Sequence, residues 1–177
     1  MKCVAVLGIL AQPAAACVTA ETLATGVSFT REDGKTGLVQ SAGDVVAITH
    51  AVGAGPWQDT RTSTHGIYDL TADLHLSNAV PVGGGYPHYA WSFAKLPPVP
   101  APGTGFSTRI KQTQTEDIGT QTSPAPTVSA YDSTYTFLPA QRVKLSGCPY
   151  PIIPVEAAFS NGGHPALALL PRPWLWA

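Results

Sequence analysis

The chain has 177 residues, of which 12% are charged and 44% hydrophobic, and it contains 17 glycines and 17 prolines. Ten Lys and Arg against eleven Asp and Glu give a formal net charge of -1, so no basic stripe is present and nucleic acid is not expected as a partner. The length fits a single domain, and low charge with many turn residues favours short strands over solvated helices.

Residues 1–16 have the pattern of an export signal. Lys2 gives a positive start, an apolar run too short to span a bilayer follows, and small residues lead to a cleavage site after Ala16. We therefore expect a mature chain that begins at Cys17 and is periplasmic or secreted. A lipoprotein anchored through an acylated Cys17 is one alternative, and an uncleaved, partly buried N-terminus is another.

Loss of the signal also removes Cys3, which leaves Cys17 and Cys148. In an oxidising compartment these two residues are predicted to form a disulfide that ties the N-terminus to a late strand. Lipidation of Cys17 would exclude that bridge. The alternative is a pair of unpaired, buried thiols.

The first predicted element is a hairpin over residues 27–40, in which Asp33 and Gly34 form a two-residue turn. Residues 45–50 form an apolar run bounded by turn residues, which predicts a buried strand. An irregular loop is expected to begin at Trp57.

Residues 65–77 alternate between apolar and polar side chains. The apolar set comprises Tyr68, Leu70, Ala72, Leu74 and Leu76. This period of two residues predicts a long strand with one face on the core. A helix is the alternative, because Leu70 and Leu74 are also four residues apart.

The second half of the chain contains more short strand-like segments. These are residues 88–93, 106–116, 127–138, 142–145 and 150–159. Prolines between residues 96 and 105 predict a surface crossing or an edge there. About eight strands separated by turns predict an all-β, antiparallel β-sandwich with little or no helix after the signal, and an open or closed β-barrel is the alternative.

The predicted β-domain spans residues 17–163 and ends in a turn signal at residues 160–163. Residues 164–177 form an atypical apolar, Pro-rich tail. Three interpretations fit this tail: it packs over an open sheet edge, it contacts a protein partner or a membrane, or it is a tail not fitted to the domain, as a truncation or frame change would leave it.

The polar face of residues 65–77 suggests a metal site. Carboxylates and imidazoles two residues apart on a strand suit zinc or another divalent metal, although a ligand from a neighbouring strand, His50 or His88, would have to join. The alternative is an ordinary solvated strand face. The candidate ligands are His65, Asp69, Asp73 and His75.

Aromatic residues offer a second candidate site. A flat platform for a sugar or a peptide is one interpretation, and core packing is the other. Neither a Gly-x-Ser-x-Gly elbow nor a phosphate-binding loop occurs in the sequence. The platform candidates are Trp57, Tyr86, Tyr89 and Trp91.

Two functions are therefore considered. The first is an exported, non-catalytic binding or structural module of the cell envelope, with an unknown ligand and no cofactor. The second is a metal-dependent hydrolase that uses the polar strand face formed by His65, Asp69, Asp73 and His75.

Overall fold

The computed structural model describes residues 17–52, 57–76, 86–117, 124–161 and 164–166. This part of the chain is nearly all β, with one short helix, α1 (Ala20–Thr25). The strands are β1 (Val27–Thr30), β2 (Thr36–Ala42), β3 (Val45–Val52), β4 (Trp57–Thr64), β5 (Tyr68–Leu76), β6 (Tyr86–Phe93), β7 (Gly105–Asp117), β8 (Thr127–Phe137), β9 (Gln141–Leu145), β10 (Cys148–Ile152), β11 (Val155–Asn161) and β12 (His164–Ala166). The predicted export signal lies outside the described residues.

The strands form one large and one small antiparallel sheet. The large sheet has ten strands in the order β1-β2-β3-β4-β5-β6-β7-β8-β11-β12, and β9 pairs with β10 separately. The predicted all-β antiparallel fold is confirmed. Within the described strands β1 and β12 stand at opposite ends of the order, so the sheet is not closed into a barrel.

The predicted β1–β2 hairpin is present, but its turn is longer than two residues. The loop extends over residues 31–35, and the Arg31 N–H donates to the Lys35 carbonyl at 2.8 Å. Gly34 adopts a φ of +79°, and Asp33 Oδ1 accepts from the Lys35 N–H at 3.2 Å. The Asp-Gly pair therefore shapes the loop without forming a two-residue turn.

The irregular loop expected at Trp57 is wrong, because β4 begins there and pairs with β3 and β5. On one face of β4, Thr60 hydrogen-bonds to Thr49 at 3.1 Å. On the same face Thr62 hydrogen-bonds to Thr71 at 2.7 Å. Cross-strand threonine pairs of this kind stabilise a strand that has no apolar pattern.

Residues 65–77 contain a strand, as predicted, and not a helix. The β4–β5 register shifts after Thr62, which pairs with Thr71, because the next residue, Ser63, pairs with Asp69. Leu70 is thus an extra residue in β5, which makes a bulge. Residues on either side of the bulge exchange faces of the sheet.

The single strand predicted over residues 150–159 is two strands in the structure. β10 ends before Ile153 and Pro154, and β11 starts after them. β9 and β10 form a tight hairpin whose turn residues, Ser146 and Gly147, have φ values of 48° and 88°. Positive φ at both positions is typical of a two-residue hairpin turn.

A further strand does follow the turn signal of residues 160–163, although Ser160 and Asn161 are themselves part of β11. β12 pairs with β11, with His164 opposite Asn161, so the first three residues of the expected tail extend the large sheet. Residues 167–177 lie outside the described residues, and the interpretations of the tail stay predictions.

The core is aromatic. Tyr68 is fully buried, and its ring meets five other aromatic rings edge-on at centroid distances of 5.0 to 6.5 Å, namely His65, Phe93, Phe106, Tyr135 and Phe137. Its hydroxyl has no hydrogen-bond partner among the described residues. Burial raises the pKa of Tyr68 to about 12, because the phenolate form loses its hydration there.

One face of the large sheet, here called the core face, carries Ile110, Tyr135 and Phe137. Residues directly opposite each other in neighbouring strands point to the same face. The sheet bends around this face, because Phe29 of β1 and Val155 of β11 line one cavity although their strands are far apart in the sheet. Large sheets commonly curl in this way.

The predicted disulfide is present between Cys17 and Cys148, whose Cα atoms are 5.6 Å apart. The Val18 N–H next to it donates to the Tyr150 hydroxyl at 2.7 Å. Since α1 follows at once and packs on β2, the bridge ties the start of the described chain and the β1–β2 end of the sheet to the β9–β10 hairpin.

Candidate functional site

Along β6 and β7 the side chains of the core face change from apolar pairs to pairs of an aromatic residue and a glutamine. Close to the aromatic core this face carries Phe93, which pairs with the buried Ile110. Further along, Tyr89 and Trp91 occupy the same face, and their rings stack with centroids 5.9 Å apart and planes inclined by 25°. Both side chains are half-buried. This part of the sheet therefore presents two nearly parallel aromatic rings.

Each of these rings lies opposite a glutamine of β7. Gln114 pairs with Tyr89, and Gln112 pairs with Trp91. The Tyr131 hydroxyl donates to the Gln112 side-chain oxygen, which fixes the orientation of that carboxamide. We call this set, Tyr89, Trp91, Gln112, Gln114 and Tyr131, the β6–β7 aromatic surface. It combines apolar rings with amide groups and carries no charge.

The other two predicted platform residues form a separate pair. Trp57 and Tyr86 meet edge to face, with centroids 5.9 Å apart and planes inclined by 60°. Trp57 is 37% exposed. By its register Tyr86 belongs to the face opposite to that of Tyr89, because the two residues are three apart on one strand. The predicted platform of four residues is thus two pairs.

A cavity of about 360 Å³ opens on the core face around Asp59, and we call it the Asp59 cavity. Strands β1, β3, β4, β5 and β11 contribute to it. One part of its lining is apolar and includes Phe29, Ile48, Ile67 and Val155. The other part is ionisable and includes His50, Asp59, Arg61 and Asp69.

The ionisable groups of this cavity are joined by ion pairs. Arg61 Nε donates to Asp59 Oδ2 at 2.7 Å, and Arg61 Nη1 lies 3.8 Å from Asp69 Oδ2. His50 is directly opposite Asp59 in the sheet, with Nε2 at 4.0 Å from the same carboxylate oxygen. Asp59 is only 9% exposed. A buried carboxylate is tolerated here because a guanidinium neutralises it.

The four predicted metal ligands are not brought to one place. Asp73 is paired across the sheet with His88, whose Nδ1 lies 2.5 Å from Asp73 Oδ1. Asp69 faces Arg61 in the Asp59 cavity. The bulge at Leu70 puts Asp69 and Asp73 on opposite faces of β5.

Of the two histidines of the predicted metal set, His75 shares a face of β5 with Asp73, two residues further along, and His65 lies outside the strand. His65 is in the turn before β5 with a φ of 54°, and its backbone N–H donates to the backbone carbonyl of Asp44 at 2.7 Å. His75 is opposite Gln58. Among the described residues, no group of three or more His, Cys, Asp or Glu side chains is placed to hold a metal ion.

The residues of the Asp59 cavity were largely missed from the sequence. His50 was considered only as an auxiliary metal ligand, while Asp59 and Arg61 were assigned to a loop. A signal was available, because residues 57–64 alternate with period two, with Gln58 and three threonines in one set. Threonine is β-branched and favours strands, so threonines repeated at every second residue indicate a strand even without an apolar set.

The core face thus holds two places with the features of ligand sites, the β6–β7 aromatic surface and the Asp59 cavity. Comparison of the chain with protein-family models, with curated proteins and with solved structures finds no match. Across the described ranges, no helix has the length and apolar character that crossing a bilayer demands.

Proposed function

We propose that the chain is an exported, non-catalytic binding module of the cell envelope, and that the β6–β7 aromatic surface binds a neutral saccharide. The stacked rings of Tyr89 and Trp91, each opposite a glutamine, carry this proposal. A sugar ring has an apolar C–H face and a rim of hydroxyl groups, so it needs an aromatic ring beneath it and amide groups at its edge.

The surface is pre-organised for such a ligand. Trp91 packs against the aromatic core, and the Tyr131 hydroxyl holds the Gln112 carboxamide. Little side-chain entropy is therefore lost on binding. A surface that served only as core would place apolar residues opposite the two rings, because a buried amide without a partner costs free energy.

The proposed ligand is neutral because none of the five residues of the surface is charged. An anionic ligand would be desolvated there, and the carboxylate that follows on the same face of β7, Glu116, would repel it. Two nearly parallel rings two residues apart on one strand suit consecutive sugar units of one chain. We therefore expect oligosaccharides to bind more tightly than single sugars.

Cellohexaose, chitohexaose and mannohexaose are suitable probes, followed by calorimetry and by tryptophan fluorescence. We expect at least one of them to bind the wild-type chain and to change the fluorescence of Trp91. The Tyr89→Ala variant should bind that probe about tenfold more weakly, because one stacking ring is lost. Gln114→Ala should weaken binding through the loss of an amide at the rim.

The matched control is Tyr86→Ala, which removes the same side chain from the separate Trp57–Tyr86 pair, three residues earlier on the same strand. It should leave the affinity within about twofold. The proposal fails if none of the hexasaccharides binds, or if Tyr86→Ala weakens binding as much as Tyr89→Ala does. Preferential binding of a neutral hexapeptide of alanine and serine would also contradict it.

Export is the second part of the proposal, and it rests on the signal pattern of residues 1–16 and on the Cys17–Cys148 pair. The disulfide occupies the Cys17 Sγ atom that a lipid anchor would need, which supports a mature chain without lipid. We expect the intact mass of protein from its native compartment to match a start at Cys17, with a rise of about 2 Da on reduction. A retained Met1, or the added mass of acyl chains, would contradict this.

A further inference from the structure

The Asp59 cavity is a second candidate site, and it shares no lining residue with the proposed saccharide site. Its volume of about 360 Å³ falls in the range of ligand pockets, which is about 300 to 1,000 Å³. An apolar wall, which includes Phe29 and Ile48, faces a wall of ionisable groups. A ligand that fills it must therefore have both an apolar part and a polar head.

The Arg61 guanidinium can receive a carboxylate in this cavity. Among the described residues it donates one hydrogen bond, from Nε to Asp59. Nη1 lies 3.8 Å from Asp69, which is beyond hydrogen-bond distance. The side chain is 34% exposed and lines the cavity. A guanidinium held by one edge in this way can present its remaining donors to a ligand oxygen.

The opposite charge is supplied by Asp69. Its side chain is 28% exposed and lines the same cavity, with Oδ2 at 3.8 Å from Arg61 Nη1. An ammonium group next to the bound carboxylate would thus meet this aspartate. The lining also includes Asp59, which is paired with Arg61, and Arg31, which is paired with Asp33 at 3.5 Å. A zwitterion sets one of its charges against Arg61 and the other against Asp69, whereas an anion would be repelled by Asp69 and a cation by Arg61.

We propose that the Asp59 cavity binds a free amino acid with an apolar side chain. The ligand carboxylate is held by the Nη groups of Arg61, and the ligand ammonium is held by Asp69. The alkyl side chain lies against Phe29 and Ile48.

The test uses the full chain and three probes that share one alkyl group. Leucine carries both charges, 4-methylpentanoate lacks the ammonium, and 3-methylbutylamine lacks the carboxylate. Calorimetric titration should give a leucine affinity at least about tenfold higher than that of either analogue. In the Asp69→Asn variant we expect leucine and 4-methylpentanoate to bind with affinities within about threefold of each other, because the ammonium has lost its partner.

The matched control is Asp73→Asn. Asp73 is also a carboxylate of β5 paired with a residue of a neighbouring strand, His88 of β6, but it lies on the other face of the sheet. It should leave the preference for leucine unchanged. The proposal is overturned if the wild-type chain does not bind leucine at millimolar concentration, or if either analogue binds as tightly as leucine. It is also overturned if Asp73→Asn and Asp69→Asn alter the preference equally. Because the three probes are compared on the wild-type chain, the test holds even if Asp69→Asn does not fold. Saccharide binding is measured separately, so either proposal can fail alone.

Discussion

Removal of the Cys17–Cys148 disulfide is expected to lower the free energy of unfolding by about 5 kcal/mol. The two cysteines are 131 positions apart, and a crosslink over so long a segment strongly restricts the unfolded chain. Small domains have a total stability of about 5 to 15 kcal/mol. The Cys17→Ala, Cys148→Ala double variant should therefore lose a large part of its stability.

Guanidinium denaturation of the double variant and of the wild-type chain, with and without reductant, measures this loss. Reduced wild-type protein should unfold at nearly the same denaturant concentration as the double variant. The double variant itself should not respond to reductant, which controls for effects of the reagent. Equal midpoints for the oxidised wild-type chain and the double variant would show that the bridge does not stabilise the fold.

Replacement of Tyr68 by alanine should cost about 3 to 5 kcal/mol. Its ring is fully buried and contacts five other aromatic rings, so the truncation leaves a cavity where β5, β6, β7 and β8 meet. The control is Val128→Ala at a side chain that is 55% exposed, which should change stability by less than about 0.5 kcal/mol. Similar losses for both variants would contradict the assignment of Tyr68 as the centre of the core.

Tyr68→Phe separates the ring of this residue from its hydroxyl. The hydroxyl is buried, and no residue that the structure describes hydrogen-bonds to it, so its removal should raise stability by about 1 to 2 kcal/mol at neutral pH. Burial raises the pKa of Tyr68 from the ordinary tyrosine value of 10.0 to about 12. The folded state therefore keeps a proton that the unfolded state releases above about pH 10.

This difference gives an expected pH dependence. Below about pH 10 Tyr68 is protonated in both the folded and the unfolded state, so its ionisation does not reduce the free energy of unfolding. Between about pH 10 and pH 12 only the unfolded state loses the proton, and the free energy of unfolding should fall by about 1.4 kcal/mol per pH unit. Other groups titrate in the same range, so the informative quantity is the difference between the wild-type chain and Tyr68→Phe. That difference should grow with pH. A constant difference from pH 8 to pH 12 would contradict the raised pKa.

Much of the fold could be predicted because apolar side chains mark one face of most strands. Residues 127–138 put Tyr131, Tyr135 and Phe137 on one side, and β8 has that register. The disulfide could be predicted because Cys3 lies in the predicted signal, and only two other cysteines occur in the sequence. β4 was missed since its outward face is made of threonines, so its stability comes from pairing with β3 and β5 and not from an apolar pattern.

The candidate sites were harder to predict, because they depend on register. Asp69 and Asp73 are four residues apart and would share a face in a regular strand, but the bulge at Leu70 separates them. Nothing in the local sequence marks that extra residue. The pairing of Asp59 with Arg61 follows from their spacing on a strand, although His50 joins them only through the β3–β4 register. The proximity of Tyr89 and Trp91 could be predicted, because they are two residues apart on one short aromatic strand and therefore share a face.

The strand order of the large sheet has a consequence for the sequence of folding events. From β1 to β8 the order in the sheet is the order in the chain, so each strand can pair with its predecessor as soon as it has been synthesised. Contacts of this short range favour rapid folding. The disulfide between Cys17 and Cys148, in contrast, cannot form until Cys148 has been synthesised, after eight strands of the large sheet. The covalent bond therefore locks a sheet that is largely assembled, and it does not guide the assembly.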